Sequence, residues 1–201
     1  GAYAPAPVGP PEVMSAVEET IIRPTLEGMM EKGHPYSGVL YAGLMITSEG
    51  PKVVEFNCRF GDPEAQPTLP LLDEPIYPLL LEASKLVPGS NLPTRPFATN
   101  DLAACCTVMT SGGYPNSYEK GKEITGIEDA EALEGVHIVP AGVEEKEGRL
   151  LTNGGRVLGV VGVDTDLEKA IQRSYEGVDK ISWENEYHRT DIGRRALERS
   201  E

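Results

Sequence analysis

Gly38-Val39-Leu40-Tyr41-Ala42-Gly43-Leu44-Met45-Ile46 is followed, after Thr47, by Ser48-Glu49-Gly50-Pro51 and then by Lys52-Val53-Val54-Glu55-Phe56-Asn57. The first run is almost continuously apolar, the pattern of a strand buried on both faces. Gly-Pro marks a tight turn, so the second run reads as the hairpin partner of the first. Phe60-Gly61-Asp62-Pro63 then breaks the strand, because glycine and proline both end regular pairing.

On the N-terminal side, Pro5, Pro7, Pro10 and Pro11 hold residues 1–11 in an extended or looped path. Val13, Val17, Ile21, Leu26, Met29 and Met30 recur at near-helical spacing and predict a helix from Glu12 to Lys32. Pro11 suits its first turn, Gly33 its end, and Pro24 should kink or split it. On the C-terminal side, Ile76, Leu79, Leu80, Ala83 and Leu86 predict a helix over 75–87, and Pro88-Gly89-Ser90-Asn91-Leu92-Pro93 reads as a linker. Short strands are expected over 101–109, 136–139, 149–151 and 156–163, with a turn at Ser111-Gly112-Gly113-Tyr114-Pro115. Leu167, Ala170, Ile171, Tyr175, Val178 and Ile181 fit one amphipathic helix. The change of character after the proline-rich patch places a domain boundary near residue 98.

With 201 residues the chain is long enough for one large or two small domains with a real core. Lys and Arg number 18 against 32 Asp and Glu, a net charge of −14 that argues against general nucleic-acid binding. A small phosphorylated ligand held by a few local arginines is still compatible with that balance. No apolar run approaches the roughly 20 residues that span a bilayer, and Gly1-Ala2-Tyr3-Ala4-Pro5 has no secretory pattern. Cys58, Cys105 and Cys106 are odd in number and lack metal-ligand spacing, so they read as reduced thiols in a cytosolic setting. Strand alternation would send Cys105 and Cys106 to opposite faces.

Three constellations carry chemistry. Alternation puts Glu55, Asn57 and Arg59 on one face at the strand's end. A carboxylate and an amide oxygen suit a hard divalent cation that shares phosphate oxygens, and a guanidinium beside them matches phosphate geometry. Asp62 and Glu64 add acidic groups on the next loop, suited to an amine or a second metal. The plainer alternative is a solvated strand face. In Thr152-Asn153-Gly154-Gly155-Arg156 the paired glycines read first as a hairpin turn and second as a close backbone approach to a ligand, with Arg156 nearby. Arg189, Arg194 and Arg195 form a basic island that is either a phosphate clamp or a solvated tail. His34, His137 and His188 have no sequence neighbours that make a metal site, and Trp183 reads as packing.

Gly1-Ala2-Tyr3-Ala4-Pro5-Ala6-Pro7, Gly38–Met45, the Glu55–Glu64 segment, Thr152–Arg156 and Arg189-Thr190-Asp191-Ile192-Gly193-Arg194-Arg195-Ala196 together resemble the glycinamide ribonucleotide synthetases of the ATP-grasp superfamily. The resemblance runs in order along the whole chain, and the Glu55–Glu64 stretch is its most specific part. It implies an α+β fold: the second half of an ATP-grasp domain, antiparallel sheet with helices, over residues 1–98, then a small β-rich C-terminal domain over 99–201. It implies ligation of glycine to 5-phosphoribosylamine with ATP, through a glycyl phosphate, in the cytoplasm. By the same resemblance Glu55 and Asn57 bind Mg²⁺ or Mn²⁺ beside ATP, Arg59 stabilises the transferring phosphoryl group, and Asp62, with Glu64, orients an amine substrate. Arg189 and Arg195 take the ribose phosphate, and Gly154 and Gly155 let the backbone close on the site. The family's N-terminal domain and phosphate-covering loop have no counterpart here. The resemblance therefore implies a catalytically incomplete C-terminal half that partners the missing half and exposes apolar surface without it. A non-catalytic phosphate-binding fragment and a purine carboxylase of the same superfamily are the rival expectations; the first would need a well-packed face over residues 1–60.

Overall fold

The structure is a computed structural model that describes residues 1–84 and 96–198. In chain order the elements are β1 (Ala2–Ala4), α1 (Pro11–Val17), a π-helical turn (Glu18–Ile22), α2 (Arg23–Glu31), β2 (Tyr41–Thr47) and β3 (Gly50–Asn57). Next come α3 (Ala65–Thr68), a 3₁₀ turn (Leu69–Leu71), α4 (Ile76–Ser84), β4 (Ala103–Ser111), α5 (Ile127–Glu131) and β5 (Val136–Pro140). The remaining elements are β6 (Val143–Lys146), β7 (Arg149–Thr152), β8 (Arg156–Asp164), α6 (Leu167–Val178), β9 (Glu186–His188) and α7 (Arg194–Leu197). The proline-rich linker read at 88–93, and Leu86 at the end of the predicted helix, lie outside the described residues.

Two compact units divide the chain differently from a single cut near residue 98. One holds Gly1–Pro5, Asp62–Leu71 and Asp101–Glu201, and the other Ala6–Gly61 and Leu72–Asn100. The larger unit recruits the chain's first residues because β1 pairs with the first half of β4, Ala2 opposite Cys106 and Ala4 opposite Ala104.

In the larger unit an antiparallel sheet runs β1-β4-β8-β5, with β9 pairing the far end of β4. Eight of the nine β4 residues are buried, as expected of a central strand with a helix over it. One core cluster packs Met109, Val157, Leu158 and Val160 with Val136, Val178 and Trp183. Each fully buried aliphatic there stabilises the fold by about 1.5–3 kcal/mol. Cys105 joins Ala103, Ala170 and Ile171 in a second cluster under α6, while the Cys106 sulfur lies on the side of Gly159. The two thiols thus take opposite faces, as alternation requires, and all three cysteines are free. Asp166 caps α6 by accepting from the Lys169 N–H at 2.9 Å. Ser174, fully buried on α6, bonds Thr107 of β4 and the Val160 carbonyl of β8 and so pins the helix to the sheet.

In the smaller unit the predicted helix runs unbroken from Pro11 to Glu31, with Pro24 absorbed rather than splitting it. Proline has no N–H to donate, and the turn ahead of it widens: the Arg23 N–H bonds the Glu18 carbonyl, five residues back. The helix ends with Gly33 in the left-handed region, its N–H on the Met30 carbonyl and that of His34 on Met29. The hairpin forms as expected, with Tyr41 opposite Asn57 and Thr47 opposite Gly50. Its burial does not follow expectation. Among the described residues β2 and β3 make a two-stranded ribbon with no further strand, and Met45 and Val54 are 59% and 67% exposed. A continuous apolar run predicts burial on both faces only if a neighbouring layer supplies the cover. Among the described residues no helix is long and apolar enough to cross a membrane.

Candidate functional site

The end of β3 and the residues after it join three of the predicted side chains. Asn57 Nδ2 donates to Glu55 Oε1 at 3.0 Å, and Arg59 Nη2 donates to Asn57 Oδ1 at 3.4 Å. Arg59 Nη1 is anchored on the Phe60 carbonyl at 2.7 Å. Glu55 and Arg59 are exposed and Asn57 half-buried, so their oxygen and nitrogen atoms are accessible to a ligand. The Glu55 carboxylate, steadied by the Asn57 amide nitrogen, and the Asn57 amide oxygen beside it fit a hard cation that takes its other ligands from phosphate and water. Among the described residues no group of three or more His, Cys, Asp or Glu side chains gathers into a metal site, and such a two-ligand cradle does not need one.

The larger unit carries its own constellation. Arg156, the first residue of β8, donates from Nη1 to the Asp62 carbonyl at 2.9 Å and pairs through Nη2 with the Asp62 carboxylate at 3.2 Å. Gln66 Nε2 holds the other Asp62 oxygen at 3.2 Å. Beside this clamp lies a cavity of about 220 Å³ lined by Pro63, Thr110, Tyr114, Arg156, His188 and Arg189, among others. Arg189 also borders a cleft of about 470 Å³ that takes in Asp191, Gly193, Arg194 and Arg195. Arg189 grips Asp191 side-on, Nε to Oδ1 at 2.8 Å and Nη2 to Oδ2 at 2.6 Å. The guanidinium holds the Asp191 carboxyl below the usual carboxylate range. His188 Nδ1 lies 2.7 Å from Glu186 Oε1.

Arg189 and Arg195 thus share the cleft, as a clamp requires, while Arg194 is drawn toward Glu198 at 3.4 Å. Glu64 precedes α3, where its carbonyl accepts from Thr68, and it lines neither cavity. Gly154 and Gly155 are not the turn of a hairpin: β7 pairs with β6, whereas β8 pairs with β4 and β5. The segment is a crossover, and its glycines allow close packing. A Cβ on Gly155 would collide with the Tyr114 ring, and one on Gly154 would stand 2.8 Å from Gly142 Cα. Their carbonyls accept from the Ser111 N–H and hydroxyl, both at 2.8 Å. The crossover thereby fixes where Arg156 begins β8. Sequence reasoning noticed Arg156 only as a neighbour of the glycines and missed Thr110, Tyr114 and His188, which come together through pairing of β4 with β8 and β9. Burial pushes the Cys105 thiol up to about 11 and that of Cys106 up to about 12, which removes both as nucleophiles near neutral pH.

Two family models match the chain. Residues 1–65 match the ATP-grasp (A) domain of phosphoribosylglycinamide synthetase and residues 104–195 match its C domain. A phosphoribosylamine–glycine ligase of Synechocystis is 47% identical over 199 residues, 98% of this chain and 46% of the relative. The chain belongs to the phosphoribosylglycinamide synthetase family. A trifunctional purine biosynthetic protein adenosine-3 of Gallus gallus is 46% identical over 98% of this chain and 19% of its own length. The crystal structure of a phosphoribosylamine–glycine ligase from Thermotoga maritima superposes with a TM-score of 0.79 at 35% identity, over 94% of this chain and 45% of that one. The chain thus spans about half the length of the single-function relatives it matches. A Campylobacter jejuni biotin carboxylase bound to an ATP analogue has a TM-score of 0.59 at 14% identity, a likeness of fold alone. The mixed helix and antiparallel-sheet architecture is therefore that of ATP-grasp proteins, a family that uses ATP and Mg²⁺.

Proposed function

We propose that this chain forms part of a cytoplasmic phosphoribosylamine–glycine ligase. In that reaction the glycine carboxylate takes the γ-phosphoryl group of ATP to give glycyl phosphate and ADP. The amine of 5-phosphoribosylamine then attacks the acyl carbon, expelling phosphate and leaving glycinamide ribonucleotide. The observation that carries the reading is the placement of Arg156 and Arg189 on one cavity beside Asp62 and Pro63. A phosphate monoester carries close to two negative charges at neutral pH, and two planar guanidinium forks match it. Arg195 extends the same positive surface along the adjoining cleft.

Glu55 and Asn57 would hold Mg²⁺ or Mn²⁺ through their side-chain oxygens. When bound, that ion neutralises charge on the nucleotide phosphates. Arg59, anchored on the Phe60 carbonyl, places a fixed positive charge for the transferring phosphoryl group. Asp62, held by Arg156 and Gln66, accepts from a substrate amine, with Glu64 as a further acidic group nearby in sequence. Gly154 and Gly155 serve through the crossover that sets Arg156. In family terms the boundary between the two functional domains falls near residue 98. The nucleotide-covering half of the ligase comes from outside residues 1–201, so this chain alone is expected to turn over no substrate.

The test uses the full ligase containing this chain. Arg156→Met should raise the KM for 5-phosphoribosylamine by about 10- to 100-fold, the worth of a charge-assisted bond to phosphate. The KM values for glycine and ATP should change little. An equal rise in all three, or no rise, contradicts the phosphate assignment.

A further inference from the structure

We propose that Tyr175 and Asp191 are positioning residues that hold the Arg189 guanidinium ready for an anion, an inference that rests on reading the cavity as a phosphate site. Arg189 stands in the short irregular stretch between β9 and α7. A long side chain on such a stretch loses rotamer freedom when it binds, and that loss weakens binding unless the side chain is already ordered.

Two contacts order it. The Tyr175 hydroxyl donates to the Arg189 carbonyl at 2.8 Å and accepts from the Ile192 N–H at 3.0 Å. One phenol therefore ties both ends of the turn to α6. That helix is a rigid base, capped by Asp166 and pinned to the sheet through Ser174, the residue before Tyr175. Asp191, inside the turn, takes Nε and Nη2 of Arg189 in a side-on pair. Two of the five guanidinium N–H groups are then engaged and three are left for a ligand. Both side chains are exposed, 63% and 38%, and an exposed pair adds little to stability. Its consequence is orientation.

The experiment titrates inorganic phosphate into the full ligase containing this chain and follows arginine Nε–H signals by NMR, for the wild type and for Tyr175→Phe, Asp191→Asn and Arg189→Met. Asp191→Asn separates positioning from simple charge. Removing a negative neighbour would tighten phosphate binding by Coulomb attraction alone, whereas loss of orientation weakens it. We expect Asp191→Asn and Tyr175→Phe each to weaken phosphate about tenfold, the scale of one well-placed charge-assisted bond. The Arg189 Nε–H should also exchange faster with solvent in both variants before any phosphate is added. Unchanged or tighter binding in Asp191→Asn, with Arg189→Met weakened, overturns the positioning role and leaves the phosphate site standing. Arg189→Met binding like the wild type, or no binding in the wild type, overturns the phosphate reading and the proposal with it. Should Tyr175→Phe fail to fold, the surface variant Asp191→Asn decides the matter alone.

Discussion

Replacing Ser174 by alanine removes the polar pin between α6 and the sheet. The hydroxyl lies 2.8 Å from both Thr107 Oγ1 and the Val160 carbonyl and accepts from the Thr107 N–H at 3.2 Å. Ser174 and Thr107 are both 0% exposed, so water cannot replace what is lost. One net hydrogen bond is worth about 0.5–1.5 kcal/mol and a buried group left without its partner costs about 1–3 kcal/mol more. Ser174→Ala should therefore cost about 2–3 kcal/mol, which for a chain of this size lowers Tm by roughly 4–12 °C. The assay is urea unfolding followed by fluorescence of Trp183, the chain's one tryptophan, which lies in the same unit's core. The slope with urea should stay constant while the midpoint falls. Thr107→Val with Ser174→Ala should cost at least about 1 kcal/mol less than the two single changes added together, because both partners then disappear. A loss below about 0.5 kcal/mol for Ser174→Ala, within the range of ordinary surface changes, would refute the pin.

Four other outcomes follow from the same structure. A thiol reagent at pH 8 should modify Cys58 in the native chain and leave Cys105 and Cys106 untouched until unfolding. Because folding raises both buried thiol pKa values from 9.0 to about 11 and about 12, stability is whole below pH 9. It should fall above that as the unfolded state loses protons first, by up to about 1.4 kcal/mol per pH unit per thiol. Urea midpoints measured from pH 8 to 10.5 check the sign. Gly155→Ala should displace the Tyr114 ring and cost about 1–3 kcal/mol as overpacking, visible as a lowered midpoint and an altered cavity in a crystal structure. Lys169 holds the Asp166 carboxyl below its ordinary 3.8. The stability it lends is complete above the unfolded carboxylate range and is lost as pH falls through the lowered value. Asp166→Ala should lower the neutral-pH midpoint and flatten the acid-side decline.

Local pattern made much of this legible. The hairpin, the helix over 11–31, β4, β8 and α6 follow from apolar spacing and turn residues, because each is set by contacts between near neighbours in sequence. Glu55 and Asn57 were readable as a linked pair for the same reason, since strand alternation places them together, while Arg59 joins them from just past the end of β3. What spacing cannot show is pairing at a distance. The path of β1 back to β4, the separation of β7 from β8, and the meeting of Asp62 with Arg156 across 94 positions depend on tertiary order. Thr110, Tyr114 and His188 carry no signal of their own until the sheet assembles. The exposed apolar ribbon shows the converse, since hydrophobic pattern reports what wants cover and not whether the cover is part of the same chain.

The most direct measurement of the central claim is a titration of the 201-residue chain with ribose 5-phosphate, a stable stand-in for the amine substrate, followed residue by residue with NMR. The account predicts saturable shifts of the Arg156 and Arg189 side-chain N–H signals, with Thr110 and Tyr114 moving at the same affinity and plain ribose giving none. Shifts spread over surface lysines, or equal effects from ribose without its phosphate, would contradict it.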